Sequence, residues 1–243
     1  MTGKGSLNHN SRKFHAKNTD PNRTHWNVEY CNEDIKDVYH ELFDEALKRY
    51  NDKQTRKDRK IDDYYEKIRS GKQEKLFHEV IIQIGDKDNM GSETMEGQLA
   101  AKILDEYMKG FQERNPALRV FAAHLHMDET TPHLHVDFVP YTTGSKRGLD
   151  TRVSLKQALS ALGFKGGTRI ETELNQWVAA EKQQLASIML DHGIEWEQKG
   201  THEKHLSLLD FEKQERAKEV AALEVQKADL EEHNATMQEV NEK

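Results

Sequence analysis

Apolar residues recur every three or four positions in long parts of the chain, which is the spacing of amphipathic helices. This spacing predicts helices over residues 33–69, with a second helical stretch around Lys57–Arg69, over Gln98–Arg114 and over Glu171–His192. Asn32 is placed to cap the first helix, Asn115 and Pro116 end the next one, and Gly193 follows the last.

Alternating apolar and polar positions predict strands in other parts of the chain. One strand is predicted over Phe77–Ile84, and two more over Leu118–Met127 and His133–Tyr141, joined by a short polar connection that indicates a hairpin. Short strands are predicted near Ser6–Asn10 and Trp26–Tyr30. Because strand–helix–strand units are few, we expect an α+β fold, with helices flanking an antiparallel central sheet and the hairpin at its centre.

The last part of the chain has a different character. Residues 203–243 contain 11 acidic residues against 6 Lys or Arg, and a weak heptad places Leu206 at an a position and Leu209, Leu223 and Leu230 at d positions. Such a pattern is typical of an acidic helix that can pair as a coiled coil. We therefore expect one domain over residues 1–202, followed by a helical extension over 203–243 that supports homodimer formation.

The composition favours a soluble protein of the cytoplasm. Charged residues reach 33%, and no segment approaches the ~18 consecutive apolar residues needed to cross a bilayer. The first residues lack the apolar region of a secretory signal, and Cys31, the single cysteine, excludes an internal disulfide. We expect no membrane insertion.

The net charge of −7 is unevenly distributed along the chain. Residues 144–169 contain only one acidic residue, Asp150, together with six basic ones: Lys146, Arg147, Arg152, Lys156, Lys165 and Arg169. Local patches rather than the total charge decide whether a phosphate backbone can bind. The acidic total therefore does not exclude nucleic acid as a partner.

The predicted hairpin carries a cluster of histidines. His133 and His135 lie two positions apart on one strand and share a face, and His126 precedes the turn, where it can face them across the ladder. Three imidazoles from two strands suit one divalent cation and leave positions open for substrate. Glu129 can support a ligand from the connection. His124 lies deeper in the strand and is expected to be a hydrogen-bonded supporting residue.

A metal site alone leaves the reaction open. A zinc-type hydrolase would use a bound hydroxide, whereas transfer of a phosphodiester needs a nucleophile placed for in-line attack and cations along the backbone. The segment Ser6–Arg12 and Tyr30 can supply such a nucleophile. A non-catalytic DNA-binding module remains a further alternative.

Three motifs resemble those of the plasmid mobilisation and recombination (Mob/Pre, or MobV-type) relaxases, which belong to the histidine–hydrophobe–histidine endonucleases. Residues His126–His135, followed by Phe138–Pro140, are similar to their third motif. His9–Arg12 matches the first motif, and Asn22–Asn27 resembles the second. The motifs occur in family order, and the resemblance spans roughly residues 5–205.

The resemblance implies nicking of one DNA strand at a transfer origin of a plasmid or mobilisable element, with covalent attachment to the 5′ end. It implies that His9 is the nucleophile, with Arg12 helping to hold the phosphate, and that His126, His133 and His135 are the metal ligands, with Glu129 in support and Glu79 near the active site. Asn10 and Arg12 beside His9 can bind phosphate oxygens. Tyr30 stays an alternative nucleophile, because most other relaxases use tyrosine.

The implied partners follow from this resemblance and from the charge pattern. Three imidazoles favour Mn²⁺, with Mg²⁺ second because it prefers oxygen ligands. We expect single-stranded or hairpin origin DNA as the substrate and the conjugative transfer machinery as a partner. The expected DNA-binding residues are Arg69, Lys72, Lys146, Arg147, Arg152, Lys156, Lys165 and Arg169.

Overall fold

An antiparallel sheet forms the centre of the computed structural model, which describes residues 2–3, 6–197 and 208–241. Its strands are β1 (Thr2–Gly3), β2 (Val28–Asn32), β3 (His78–Gln83), β4 (Leu118–His126), β5 (His133–Thr142) and β6 (Arg152–Val153). Their order is β1-β3-β5-β4-β2, and β6 pairs with β5. All pairs are antiparallel, and the hairpin of β4 and β5 lies in the interior of the sheet. The predicted α+β fold and the central hairpin are confirmed.

Helices flank this sheet. They are α1 (Leu7–Asn10), α2 (Ile35–Asp52), α3 (Tyr64–Ser70), α4 (Met95–Lys109), α5 (Phe111–Arg114), α6 (Leu155–Ala161) and α7 (Glu173–Asp191), with 3₁₀ turns at Thr24–Trp26 and Lys57–Arg59. A further helix, α8 (Leu208–Asn241), belongs to a separate unit of the chain. No helix of the described part is both long and apolar enough to span a membrane.

The predicted short strand near Ser6–Asn10 is wrong, because this segment forms helix α1. The backbone N–H of Ser11 donates to the carbonyl of Leu7, which closes a helical turn. The segment lacks β-branched residues, and its asparagines favour turns and caps over strands.

Several predicted helix limits are also wrong. Residues 53–63 separate α2 from α3 within the predicted 33–69 helix, and the cap of α2 is Asp34, whose side chain accepts from the N–H of Lys36, rather than Asn32. Gly110 divides the predicted Gln98–Arg114 helix, as expected of a residue that weakens helices. Helix α6 was not predicted, although Ser154 caps it by accepting from the N–H of Gln157.

The core consists of two apolar clusters. Leu134, Val136 and Phe138 of β5 pack in one cluster with residues of α4 to α7, and Val139 packs in the other with residues of α2 and α3. Because successive side chains of a strand point to opposite faces, His133, His135 and Asp137 share the face of Val139. The histidine-bearing end of this face is where the candidate site forms.

The chain divides into two compact units, residues 1–196 and residues 197–243. Helix α8 belongs to the second unit, and its apolar side chains Val220, Leu223, Val225 and Leu230 are exposed. Leu206, the first predicted heptad position, lies outside the described residues. The functional boundary between 202 and 203 and the pairing of this helix stay predictions.

Candidate active site

The hairpin brings the three candidate metal ligands together. His126 and His133 are directly paired in the ladder, and His135 is paired with His124. The ring centroids of His126 and His135 are 4.7 Å apart, and those of His133 and His135 are 5.0 Å apart. Alternation along the strands and the antiparallel register together produce this cluster.

In each of the three histidine rings, one nitrogen donates a hydrogen bond to an acceptor. The other nitrogen of the ring then carries the free lone pair. His126 Nε2 donates to the carbonyl oxygen of Asn10 at 2.8 Å, and His133 Nδ1 donates to that of Thr131 at 2.9 Å. His135 Nδ1 donates to Glu79 Oε1 at 2.8 Å. In the neutral rings, His126 Nδ1, His133 Nε2 and His135 Nε2 therefore carry the lone pairs that a metal ion needs.

Burial supports the neutral state of two of these rings, His126 and His133. It lowers the pKa of His126 to about 2, and repulsion from His135 adds to the effect; burial likewise lowers the pKa of His133. His126 Nδ1 and His135 Nε2 are buried and have no hydrogen-bond partner among the described residues. Unpartnered buried lone pairs on converging imidazoles fit a divalent cation.

The ligand atoms form two overlapping groups rather than one. Those of His9, His126 and His135 lie within 4.8 Å of one another, and so do those of His126, Glu129 and His133. The three predicted ligands are thus divided between two groups that share His126. The candidate nucleophile His9 and the candidate supporting residue Glu129 both lie within this cluster.

His9 Nε2 lies between a cation and a carboxylate. Arg12 Nη1 is 3.2 Å from this nitrogen, and Glu129 Oε1 is 3.3 Å from it. Arg12 can only donate a hydrogen bond, and an ionised Glu129 can only accept one. His9 Nε2 therefore forms a hydrogen bond with only one of them at a time, depending on whether it carries a proton. With its proton on Nδ1, His9 presents an Nε2 lone pair stabilised by Arg12.

Glu129 is held in its ionised form. Burial alone would raise its pKa, but the contacts with His9, His133 and Arg12 lower the pKa to about 2. The carboxylate also accepts from Arg12 Nη2 at 2.8 Å. Glu129 therefore connects His9, Arg12 and the histidine cluster.

Arg12 is occupied by protein partners. Its Nε and Nη2 donate to the two carboxylate oxygens of Asp128 at 2.9 and 2.6 Å, Nη2 also donates to Glu129, and Nη1 donates to the carbonyl of His9 at 2.9 Å. Its backbone has a φ of +52°, a conformation that costs energy in a non-glycine residue. Here Arg12 positions His9 and Glu129, so contact with a phosphate requires exchange of one of these bonds.

Asn10 links two of the candidate ligand histidines, a role that the sequence did not indicate. Its side chain is buried, and its Nδ2 donates to Glu79 Oε1 at 2.8 Å and to Asp137 Oδ2 at 2.9 Å. Both amide hydrogens are thus used inside the protein, so contact of Asn10 with a phosphate requires exchange of one of these bonds. Through its carbonyl and through Glu79, Asn10 orients both His126 and His135.

Asp137 is a further member of the site that sequence reasoning missed. Burial raises its pKa to about 7 against the hydrogen bond from Asn10, and the charge of Glu79 adds to the rise. Its position two residues after His135, on the same strand face, is the signal that could have identified it.

The second motif supports the hairpin connection. Asn27 Oδ1 accepts from the backbone N–H groups of Met127 and Asp128 at 2.7 and 3.1 Å, and Thr24 Oγ1 donates to Asp128 at 3.2 Å. Asp128 is fully buried. The motif thereby holds the carboxylate that positions Arg12.

Tyr30 lies away from the histidines. Its hydroxyl donates to Asp105 Oδ1 at 2.9 Å, and its ring packs against the apolar cluster of α4 to α7. Burial raises the pKa of this hydroxyl far above its ordinary value, and Asp105 adds to the effect. His124 is buried, and its Nε2 lies 3.2 Å from Glu29 Oε2; its supporting role stays a prediction.

The predicted DNA-binding residues differ in their surroundings. Lys146, Arg147 and Arg152 line a cavity of about 550 Å³ near the end of β5, about 30 Å along that strand from His133. Arg69 pairs with Glu66 and Lys156 with Glu173, whereas Lys72, Lys165 and Arg169 are exposed.

Replacing Asn10 by alanine should weaken binding of Mn²⁺ by about 10–100-fold, the range for partners of metal ligands. It should also lower the free energy of unfolding by about 1–3 kcal/mol, because two buried carboxylates, Glu79 and Asp137, each lose one donor. Titration calorimetry and thermal unfolding measure the two effects. The matched control is Asn8→Ala at an exposed position of α1. Unchanged metal affinity in Asn10→Ala would remove Asn10 from the site.

Comparison with known proteins points to one family. The model of the plasmid recombination enzyme family, Mob_Pre, matches residues 6–213. A plasmid recombination enzyme from Bacillus sp. is 26% identical over 226 residues. The match covers 91% of this chain and 45% of that protein, so the chain spans less than half the length of this relative. Among solved structures, a Mn-bound MobM relaxase domain with 22-nucleotide origin DNA of plasmid pMV158 matches with a TM-score of 0.50 at 26% identity, covering 85% of this chain and 90% of that one.

Proposed function

Because the chain belongs to the plasmid recombination enzyme family of Mob/Pre relaxases, we propose that it nicks one strand of origin DNA and stays bound to the new 5′ end through His9. The observation that carries this proposal is the position of His9. A ring nitrogen of His9 lies within 4.8 Å of ring nitrogens of His126 and His135. Its Nε2 also lies between Arg12 and Glu129. The alternative nucleophile, Tyr30, packs on the other face of the sheet against α4.

The chemistry of the proposed step follows from a neutral imidazole. His9 Nε2 attacks the scissile phosphorus, a nitrogen–phosphorus bond forms, and the bond to the 3′ oxygen of the preceding nucleotide breaks. The 3′ oxygen takes up a proton from solvent and leaves as a hydroxyl, and the phosphorylated ring releases its Nδ1 proton to solvent. The resulting phosphoramidate is reactive enough for the free 3′ hydroxyl to reverse the step and rejoin the strand.

The proposed cofactor is a divalent metal ion held by His126, His133 and His135, with Glu129 in support. Imidazole donors favour Mn²⁺ over Mg²⁺, and the MobM relaxase domain is described as Mn-bound. When bound, the ion would neutralise charge on the non-bridging phosphate oxygens. Asn10, Glu79 and Asp128 then keep the ligands and Arg12 in place.

The proposed substrate is single-stranded or hairpin origin DNA. The MobM relaxase domain is described as bound to origin DNA. In this chain, Lys146, Arg147 and Arg152 supply cations around one cavity, and the exposed Lys72, Lys165 and Arg169 can add phosphate contacts. The conjugative transfer machinery is a proposed partner of the whole protein.

One experiment tests this function without knowledge of the origin sequence. The chain is incubated with Mn²⁺ and a random-sequence pool of single-stranded DNA, and protein–DNA adducts that survive denaturation are isolated. The attached strands are sequenced, and the modified residue is located by digestion and mass spectrometry. We expect DNA on His9 and enrichment of one sequence at the attached 5′ end. Cleavage without an adduct would indicate a hydrolase, and binding without cleavage would indicate an origin-binding module; either result contradicts the proposal.

Deletion of residues 203–243 should leave adduct formation on short oligonucleotides largely unchanged, because none of the proposed site residues lies there. It should reduce self-association, measured by sedimentation, if the exposed apolar residues of α8 pair between two copies. Because the family match extends to residue 213, deletion of 214–243 is the matched control. Loss of adduct formation in the longer deletion alone, with the fold intact, would move the domain boundary beyond 202.

A further inference from the structure

Phe14 is an exposed aromatic residue beside the candidate nucleophile. Its side chain is 50% exposed, and its ring centroid lies 6.1 Å from that of His9. It follows Arg12, whose left-handed backbone turns the chain at the end of α1. Phe14 therefore lies at the opening of the site and not in the core.

The segment that carries Phe14 is fixed to the hairpin connection at both ends. At its start Arg12 binds Asp128 and Glu129, and at its end Asn18 Nδ2 donates to Glu129 Oε2 while the N–H of Asp20 donates to the carbonyl of Asp128. The Glu129 carboxylate thus contacts both His9 and this segment. Phe14 is consequently presented at a defined distance from the nucleophile, with little backbone freedom left to lose on binding.

Folding does not account for the exposure of this ring. Single exposed apolar residues are common, but Phe14 belongs to neither apolar cluster of the described chain, and it contacts a residue of the candidate site. The neighbouring Lys13 and Lys17 are also exposed, and residues 13–19 contain no acidic residue. An aromatic face among cations is the usual surface for a single nucleic-acid strand, because bases stack on the ring and cations bind phosphates.

We propose that Phe14 stacks on the base of a nucleotide that flanks the scissile phosphate, and so sets the position of that phosphate against His9. The proposal rests on the proposed function, since it assumes that His9 attacks DNA. Phe14 is a positioning residue that binds the strand before and during attack. Its loss should therefore raise KM and leave the rate at saturating DNA nearly unchanged. Every base can stack on an aromatic ring. Phe14 therefore contributes to DNA affinity and to the position of the strand in the site, and not to sequence specificity.

The test uses single-stranded DNA of the sequence recovered from the adduct selection. The fluorescent base 2-aminopurine, which is quenched on stacking, replaces the base on the 5′ or the 3′ side of the scissile phosphate. Binding is measured in chelator, with intact strands verified on a gel. In the unaltered chain, we expect a fluorescence change at one of the two positions.

Three variants separate stacking from apolar contact. Phe14→Ala should weaken binding by about 5–100-fold and remove the fluorescence change. Phe14→Leu keeps an apolar side chain without a ring face and should behave similarly, whereas Phe14→Trp should restore affinity and quenching. Leu190→Ala, which removes an exposed apolar side chain from α7, is the matched control and should have no effect.

The outcomes distinguish this proposal from the proposed function. If the unaltered chain forms no adduct, the proposed function fails. If the adduct forms but Phe14→Ala binds as tightly as the unaltered chain and keeps the same fluorescence change, the stacking role alone is overturned. Full restoration by Phe14→Leu would also overturn it, because an aliphatic side chain cannot stack.

Discussion

Replacement of His9 by alanine is expected to abolish strand cleavage and the covalent adduct together, with a loss of at least about 10³-fold in rate. Alanine has no lone pair that can attack phosphorus, and the remaining imidazoles are expected to be engaged by the metal ion. Binding of Mn²⁺ and DNA should persist, because His126, His133 and His135 remain. Denaturing gels measure the adduct, and titration calorimetry measures the metal.

Tyr30→Phe is the matched test of the other candidate nucleophile. It removes only a hydroxyl that donates to Asp105, so most of the nicking activity should remain. The bond itself gives an independent criterion, because a phosphoramidate to histidine is labile in acid and stable in alkali, whereas a tyrosyl phosphodiester survives acid. An acid-stable adduct that disappears in Tyr30→Phe would reverse the assignment.

The double replacement His133→Ala/His135→Ala should remove bound divalent metal and abolish nicking. Of the three proposed ligands only His126 then remains, which is too few to hold the ion. Metal content after dialysis, measured by mass spectrometry, and adduct formation with added Mn²⁺ report the two effects. Glu129→Ala should show an intermediate loss of about 10–100-fold in metal affinity, as supporting residues do.

A matched double variant controls for the loss of two histidines. His40 and His192 each lie beside an acidic residue outside the cluster, Asp44 and Glu106 respectively. His40→Ala/His192→Ala should keep both metal and activity. Full activity of His133→Ala/His135→Ala in the presence of chelator would contradict the metal site and the mechanism built on it.

The hairpin was predictable because its signals are local. A strand repeats every two residues, so the spacing of His133 and His135 alone places them on one face. The polar connection after His126 indicates the turn, and an antiparallel pair then brings all three rings together. No knowledge of the rest of the fold is needed for this step.

The hydrogen-bond partners around the histidine rings could not be predicted from such local signals. Asn10 binds Glu79 and Asp137 across 69 and 127 residues of sequence, and these bonds exist only once α1 packs against the sheet. The predicted strand at Ser6–Asn10 would have turned Asn10 and His9 to opposite faces, whereas the helical turn and the positive φ of Arg12 give them their observed places.

By itself, the sequence determined the α+β class, the central hairpin with its histidines, and the three motifs of the Mob/Pre relaxases. Only the tertiary structure decided which ring nitrogen of each histidine is free, that Arg12 is bound by Asp128, and that Tyr30 lies on the face opposite His9. The last point follows from the pairing of Glu29 with His124, which places the next residue of β2, Tyr30, on the opposite face of the sheet. Periodicity records which neighbours along one strand share a face, but contacts between distant segments depend on how all the elements pack, which no local pattern encodes.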